Sequence, residues 1–76
     1  MRRLDITSEL CPMTWVRVKL ALEELQAGAA LEVRLKGSEP LKNIPRNALD
    51  EGHEVISVQA IDGGAYLLTV RVRRGG

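Results

Sequence analysis

The chain has 76 residues, of which 45% are hydrophobic and 28% charged, with a net charge of +1. This length predicts one small domain over residues 1–76, with the composition of a globular protein rather than a disordered one. A single cysteine excludes an internal disulfide and a cysteine-rich metal site. No apolar run is long enough for a membrane span or a signal peptide, so we expect a cytoplasmic protein whose thiol stays reduced.

The first part of the chain predicts a strand and a helix. "RRLDI" alternates apolar Leu4 and Ile6 with charged residues, which favours a short strand. After the loop "TSEL", Pro12 fits the first turn of a helix over residues 12–26, and Gly28 is expected to end it. At 100° per residue, one apolar face of this helix should point to the core. That face consists of Trp15, Val18, Ala21, Leu22 and Leu25.

The remaining sequence predicts a strand, a second helix and a hairpin. In "ALEVRLK" the apolar residues alternate with charged ones, and Leu31, Val33 and Leu35 should be buried. Ser38 is expected to cap a helix that Pro45 kinks or divides. The apolar residues of this helix are Leu41, Ile44, Ala48 and Leu49. "EVISVQAI" and "AYLLTVRVRR" flank the turn "DGG". Their expected inward residues are Ile56, Val58, Ala60, Tyr66, Leu68, Val70 and Val72.

The order β-α-β-α-β-β predicts an α/β two-layer sandwich. A mixed four-stranded sheet should carry both helices on one face, because each strand offers only one apolar face. The charged outer face should be solvated, and direct nucleic-acid binding is not expected, because no aromatic side chain is placed there to stack on bases. Residues 74–76 are expected to be a flexible tail. Their Gly-Gly ending resembles that of ubiquitin-like modifiers, but those folds open with a β-hairpin.

The single cysteine lies at the start of the first predicted helix. Cys11 directly precedes Pro12, where unpaired backbone N–H groups and the helix dipole favour a thiolate. A reactive thiol is one interpretation, and a small buried hydrophobe is the other. The chain has no second cysteine to resolve a disulfide, and His53 is its only histidine. We expect His53 to be a polar loop residue rather than a catalytic base.

"LDITSELCPMTWVRVKLALEEL" resembles the N-terminal signature of the TusA/SirA-like sulfur carrier family (sulfurtransferase TusA family). "SEPLKNIP" is similar to the acidic-Pro segment and second helix of that family, and "GHEV" to the start of its third strand. The resemblance covers residues 4–73 and implies the same two-layer fold. Two positions differ from the family pattern. Thr14 replaces the second proline of Cys-Pro-x-Pro, and Leu10 stands where a basic residue is common.

The resemblance implies a carrier of the sulfurtransferase type, with a persulfide on Cys11 and without a cofactor or metal. Pro12 and Thr14 would support the loop and the start of the helix. The partners would be a sulfur-donor protein, such as a cysteine desulfurase or a rhodanese, and a sulfur-acceptor protein. The alternative is a non-catalytic interaction or regulatory module in which the cysteine is structural.

A second apolar strip on the first helix lies nearly opposite its core face. Met13, Val16 and Leu20 converge there at 100° per residue, and Arg17 lies close to them. A helix that is apolar on two sides is either covered on both or offers one side to a partner. The strip is therefore interpreted either as packing against the second helix or as a docking surface beside Cys11.

Overall fold

A computed structural model describes residues 2–7 and 13–73 and confirms the predicted element order. The elements are β1 (Arg2–Asp5), α1 (Met13–Glu23), β2 (Ala30–Lys36), α2 (Ser38–Asp50), β3 (Glu54–Ala60) and β4 (Ala65–Arg71). A short 3-10 turn over Asp62–Gly64 joins β3 to β4. Residues 74–76, for which a tail is predicted, lie outside the described residues.

The four strands form one mixed sheet in the order β1-β2-β4-β3. β1 and β2 are parallel, and β4 is antiparallel to both of its neighbours. Val33, Leu68 and Val58 lie opposite one another across three strands, so their side chains share the face that the helices cover. The predicted two-layer α/β sandwich, with both helices on one face, is confirmed.

The core lies between this face of the sheet and the helices. The predicted inward residues of α1, β2 and the β4 region form it as expected. The buried ones are Val18, Ala21, Leu22, Leu31, Val33, Leu35, Leu68, Val70 and Val72. Trp15, Leu25 and Tyr66 are half-buried against this cluster. From α2, Ile44 and Ala48 are buried, whereas Leu49 is 58% exposed.

The predicted burial of β3 is wrong. Ile56 and Val58 are 43% and 44% exposed, and Ala60 is exposed as well. One cause is that β3 is an edge strand, so the helix layer covers its inner face only in part. The other is a register shift between Val55 and Ser57, which makes Ile56 the extra residue of a bulge. Val55 packs against the core instead.

α1 ends at Glu23, earlier than the predicted end at residue 26. After Glu23 the chain forms a tighter turn of the 3-10 type. In this turn the Leu25 N–H donates to the Leu22 carbonyl three residues back at 3.2 Å. Gly28, expected to end the helix, instead donates its N–H to the Val72 carbonyl at 2.7 Å. Its positive φ of 91° turns the chain into β2.

The predicted cap of α2 is also wrong. Gly37 is the N-cap with a φ of 104°, which glycine adopts easily, and no side chain of the described residues makes a capping hydrogen bond there. Ser38 is the first residue of the helix. α2 continues across Pro45 as one helix, so of the two expected outcomes, a kink or a division, the division into two pieces is wrong. The buried side chains of Ile44 and Ala48, on either side of this proline, hold both halves against the same core.

Candidate functional site

The candidate site lies where β1 leads into α1. Because β1 and β2 are parallel, their carboxyl ends meet at one edge of the sheet. In sheets of this kind ligands commonly approach at such an edge. Arg2 at the start of β1 lies 2.6 Å from Glu24 just beyond the end of α1. α1 therefore runs back along β1, and its amino end lies near the carboxyl end of β1.

A hydrogen-bonded turn ends β1. The backbone N–H of Thr7 donates to Asp5 Oδ1 at 2.9 Å, and the Thr7 hydroxyl donates to the same oxygen at 2.6 Å. These bonds, with a smaller effect of the Arg34 charge, hold the pKa of the Asp5 carboxyl below its ordinary value of 3.8. Buried Ile6 donates its N–H to the Arg34 carbonyl at 2.9 Å. The turn thus fixes the direction in which the chain leaves β1 at Thr7.

This turn was missed in the sequence, although a signal for it was present. Asp and Thr two positions apart, at the end of an alternating strand, are typical of a side chain that bonds the backbone two residues on. From the sequence, Thr7 is predicted only to lie in a loop. Asp5 was treated only as a charge on the outer face of the sheet.

The first turn of α1 contains one buried polar residue. Thr14 is only 3% exposed, and Trp15 beside it is half-buried against the core. Thr14 therefore occupies an enclosed position at the start of the helix, three residues after Cys11 in the sequence. Cys11 and Pro12 lie outside the described residues, and so does the side chain of Met13.

Val16 and Leu20, here called the α1 strip, are 40% and 54% exposed. They are not enclosed by α2, and Arg17 between them is exposed as well. Beside the α1 strip, a groove of about 170 Å³ runs between α1 and β1. It is lined by Arg2, Leu4, Arg17, Leu20, Ala21 and Glu24. The α1 strip thus continues into a groove whose walls are partly apolar and partly charged.

His53 lies at the opposite end of the sheet from the start of α1. It precedes β3, whose first residue is level with Ala30 at the start of β2. Asp5, at the end of β1, is level with Arg34, about 13 Å further along β2. His53 Nδ1 accepts a hydrogen bond from the Arg73 backbone N–H at 3.2 Å. This bond ties the start of β3 to the residues after β4, which is a structural role.

The outer face of the sheet carries paired charges. Arg3 Nε lies 2.9 Å from Glu32 Oε1, and Glu54 lies 3.8 Å from both Arg71 and Arg73. A shallow groove of about 540 Å³ lies on this face beside the end of β1. Its lining consists of Arg3, Leu4, Asp5, Glu32, Arg34, Ile61, Asp62 and Leu67. Both signs of charge occur there, so the groove favours no particular charge on a ligand.

Two further observations concern residues 2–7 and 13–73. This part of the chain contains no group of three or more His, Cys, Asp or Glu side chains arranged to hold a metal ion. It also contains no helix with the length and apolar character that a membrane crossing requires.

The arrangement of the sheet and the two helices is that of a SirA-like protein. The crystal structure of a SirA-like protein from Desulfitobacterium hafniense matches the chain with a TM-score of 0.85 at 25% identity. The match covers 97% of this chain and 100% of that one.

The chain belongs to the TusA family. Residues 2–72 match the sequence model of the family described as "Sulfurtransferase TusA". A "Putative sulfur carrier protein" of Archaeoglobus fulgidus is 41% identical over 68 residues, which are 90% of this chain and 77% of the relative. TsuB of Escherichia coli K12, which carries the same description, is 30% identical over 71 residues, or 93% of this chain and 95% of the relative.

Proposed function

We propose that the protein is a cytoplasmic sulfur carrier that holds a persulfide on Cys11 and relays sulfane sulfur between partner proteins. The observation that carries this proposal is the family match over residues 2–72, which includes the Cys11-Pro12 pair. The descriptions of the relatives as sulfur carriers support the same role. The carrier unit would be the single domain of residues 1–76.

The proposed chemistry needs one thiolate on the carrier. In loading, the Cys11 thiolate attacks the outer sulfur of a donor persulfide, forming a new S–S bond while the donor S–S bond breaks and the donor leaves as a thiolate. In delivery, an acceptor thiolate attacks the outer sulfur on Cys11, and Cys11 leaves as a thiolate. Each step exchanges one S–S bond for another, so no external oxidant or reductant is consumed. The donor would be a cysteine desulfurase or a rhodanese.

The amino end of α1 favours the thiolate that both steps require. α1 begins at Met13, two residues after Cys11, and runs for 11 residues. The first N–H groups of a helix have no acceptor within it and, with the dipole, stabilise a nearby anion. The first turn of α1 contains no acidic residue that would oppose this effect. Pro12 suits this position because it lacks an N–H, and Thr14 replaces the second proline of the family pattern.

We further propose that the α1 strip, with Met13 and Arg17, is the surface that a sulfur-exchange partner contacts. The partner's sulfur must reach Cys11, and Val16 lies about 4.5 Å along the helix axis from Met13. The exposed apolar side chains would give a partner protein contact area. The charged residues that line the adjacent groove would orient that partner. His53, at the far end of the sheet, has no part in this exchange.

The proposal is tested by intact-protein mass spectrometry after incubation with a cysteine desulfurase and free cysteine. The wild type should gain the mass of one sulfur atom, which a reducing agent removes. Cys11→Ser, with an unchanged melting temperature, should gain none. A wild type that stays unmodified under these conditions would contradict the proposal and favour a structural role for the cysteine.

A further inference from the structure

We propose that the protein forms a homodimer in which β3 pairs antiparallel with β3 of a second copy. β3 is an edge strand of seven residues, and one side of its backbone has no neighbouring strand in the described sheet. Between Glu54 and Asp62 it contains neither a charged residue nor a proline. Charges and prolines are the usual protection of an edge against pairing. The other edge, β1, has four residues, of which three are charged.

Exposed apolar side chains line this edge. Ile56 and Val58 are 43% and 44% exposed. Val58 lies opposite Leu68, so its side chain points to the face that the helices cover but reaches beyond the core. A strand laid beside β3 would extend the sheet and cover Val58, and it would satisfy the open backbone groups.

The charges at the two ends of β3 identify the occupant as a second copy. At one end, Glu54 lies 3.8 Å from both Arg71 and Arg73, so this cluster carries one negative and two positive charges. At the other end, Asp62 is exposed and has no ion pair among residues 2–7 and 13–73. An antiparallel pairing centred on Val58 sets residue 62 of one copy opposite residue 54 of the other.

This arrangement neutralises both clusters. Each Asp62 adds one negative charge to the positive cluster of the other copy, and the two-fold symmetry repeats the contact. The same pairing sets Val58 against Val58 and Ile56 against Ala60. A parallel pairing would place Asp62 against Asp62 and the positive clusters against each other, which is unfavourable.

The dimer leaves the α1 strip free. The Arg2–Glu24 ion pair places α1 along β1, at the edge of the sheet opposite β3. The α1 strip is therefore remote from the dimer contact. The inference does not depend on the sulfur chemistry, and Cys11→Ser should dimerise as the wild type does.

Sedimentation equilibrium in the presence of a reducing agent, from micromolar to millimolar protein, tests the dimer. The wild type should be dimeric at the upper concentrations. Val58→Lys should be monomeric, whereas Leu20→Lys, which places the same charge on the other exposed apolar surface, should remain dimeric. Cys11→Ser should match the wild type, which excludes a disulfide-linked dimer.

Exchanging the charges of Asp62 and Arg73 tests the register of the β3–β3 pairing without changing an apolar residue. Asp62→Arg should raise the dissociation constant about tenfold, because two symmetric ion pairs are lost. Adding Arg73→Glu should restore it, because the cluster around Glu54 then becomes negative. A wild type that is monomeric at every concentration would overturn the proposal. So would a dimer that Val58→Lys leaves intact, or one that the charge exchange does not affect.

Discussion

Replacing Val16 by aspartate tests whether this side chain belongs to a docking surface or to the core. Val16 is 40% exposed, so the change removes at most about three fifths of the roughly 1.5–3 kcal/mol that a fully buried valine contributes. Near the start of α1, whose first turn contains no acidic residue, the new carboxylate recovers roughly 0.3–1 kcal/mol from the helix dipole. The expected net loss is about 1 kcal/mol, or roughly 4–8 °C in the melting temperature.

Val18→Asp is the matched control for stability. Val18 is 0% exposed, so a charge there should prevent folding. In a transfer assay with a persulfide-loaded donor, Val16→Asp should slow sulfur loading about tenfold, the effect of losing one interface contact of about 1.4 kcal/mol.

Leu20→Asp tests whether slower loading comes from lost docking or from an effect of the new charge on the reactivity of Cys11. It lies a further turn from Cys11, so it should reproduce the slower loading while leaving the rate at which iodoacetamide alkylates Cys11 unchanged. The docking assignment is refuted if Val16→Asp unfolds the domain, or if both variants load at the wild-type rate.

Three further predictions concern Thr14 and Asp5, which lie near the candidate site, and His53, which lies far from it. Thr14→Pro should cost less than about 2 kcal/mol in thermal unfolding, because an N–H in the first turn needs no acceptor within the helix; a larger loss would show that the N–H or hydroxyl is bonded. Asp5→Ala should lower the melting temperature at neutral pH. Since the folded-state pKa of Asp5 lies below 3.8, this difference from wild type should shrink as the pH falls through and below that value; a difference that persists in strong acid would contradict the role of the carboxylate. His53→Ala should cost about 1 kcal/mol, because the Arg73 N–H loses its acceptor, and leave sulfur transfer unchanged; slower transfer would assign His53 to the chemistry.

Most of the fold could be predicted because local patterns and long-range packing agree. The alternation in β2 and the 100° spacing in α1 correctly identified buried Leu31, Val33 and Val18. The errors lie where the burial or the capping role of a residue depends on its position in the tertiary structure. Alternation in β3 cannot reveal that the strand is at an edge or that a bulge follows Val55. Ser38 is a common capping residue, but the preceding glycine takes that position.

The candidate site was predicted less completely. The helical spacing separated the α1 strip from the core face, and the exposure of Val16 and Leu20 agrees with that separation. The turn in which Thr7 bonds Asp5 depends on side-chain geometry that periodicity does not describe. Nor could the sequence place His53 at the far end of the sheet, because this requires the strand order.

The proposed passage of sulfur through Cys11 can be followed directly in a labelled-sulfur time course. A cysteine desulfurase supplied with isotopically labelled cysteine is mixed with the carrier and a thiol acceptor protein, and all three proteins are weighed by mass spectrometry at intervals. The label should appear on the carrier first, one atom per chain, and then on the acceptor as the carrier loses it. With Cys11→Ser, neither carrier nor acceptor should be labelled. An acceptor that gains sulfur equally fast with Cys11→Ser, or without any carrier, would show that sulfur does not pass through Cys11.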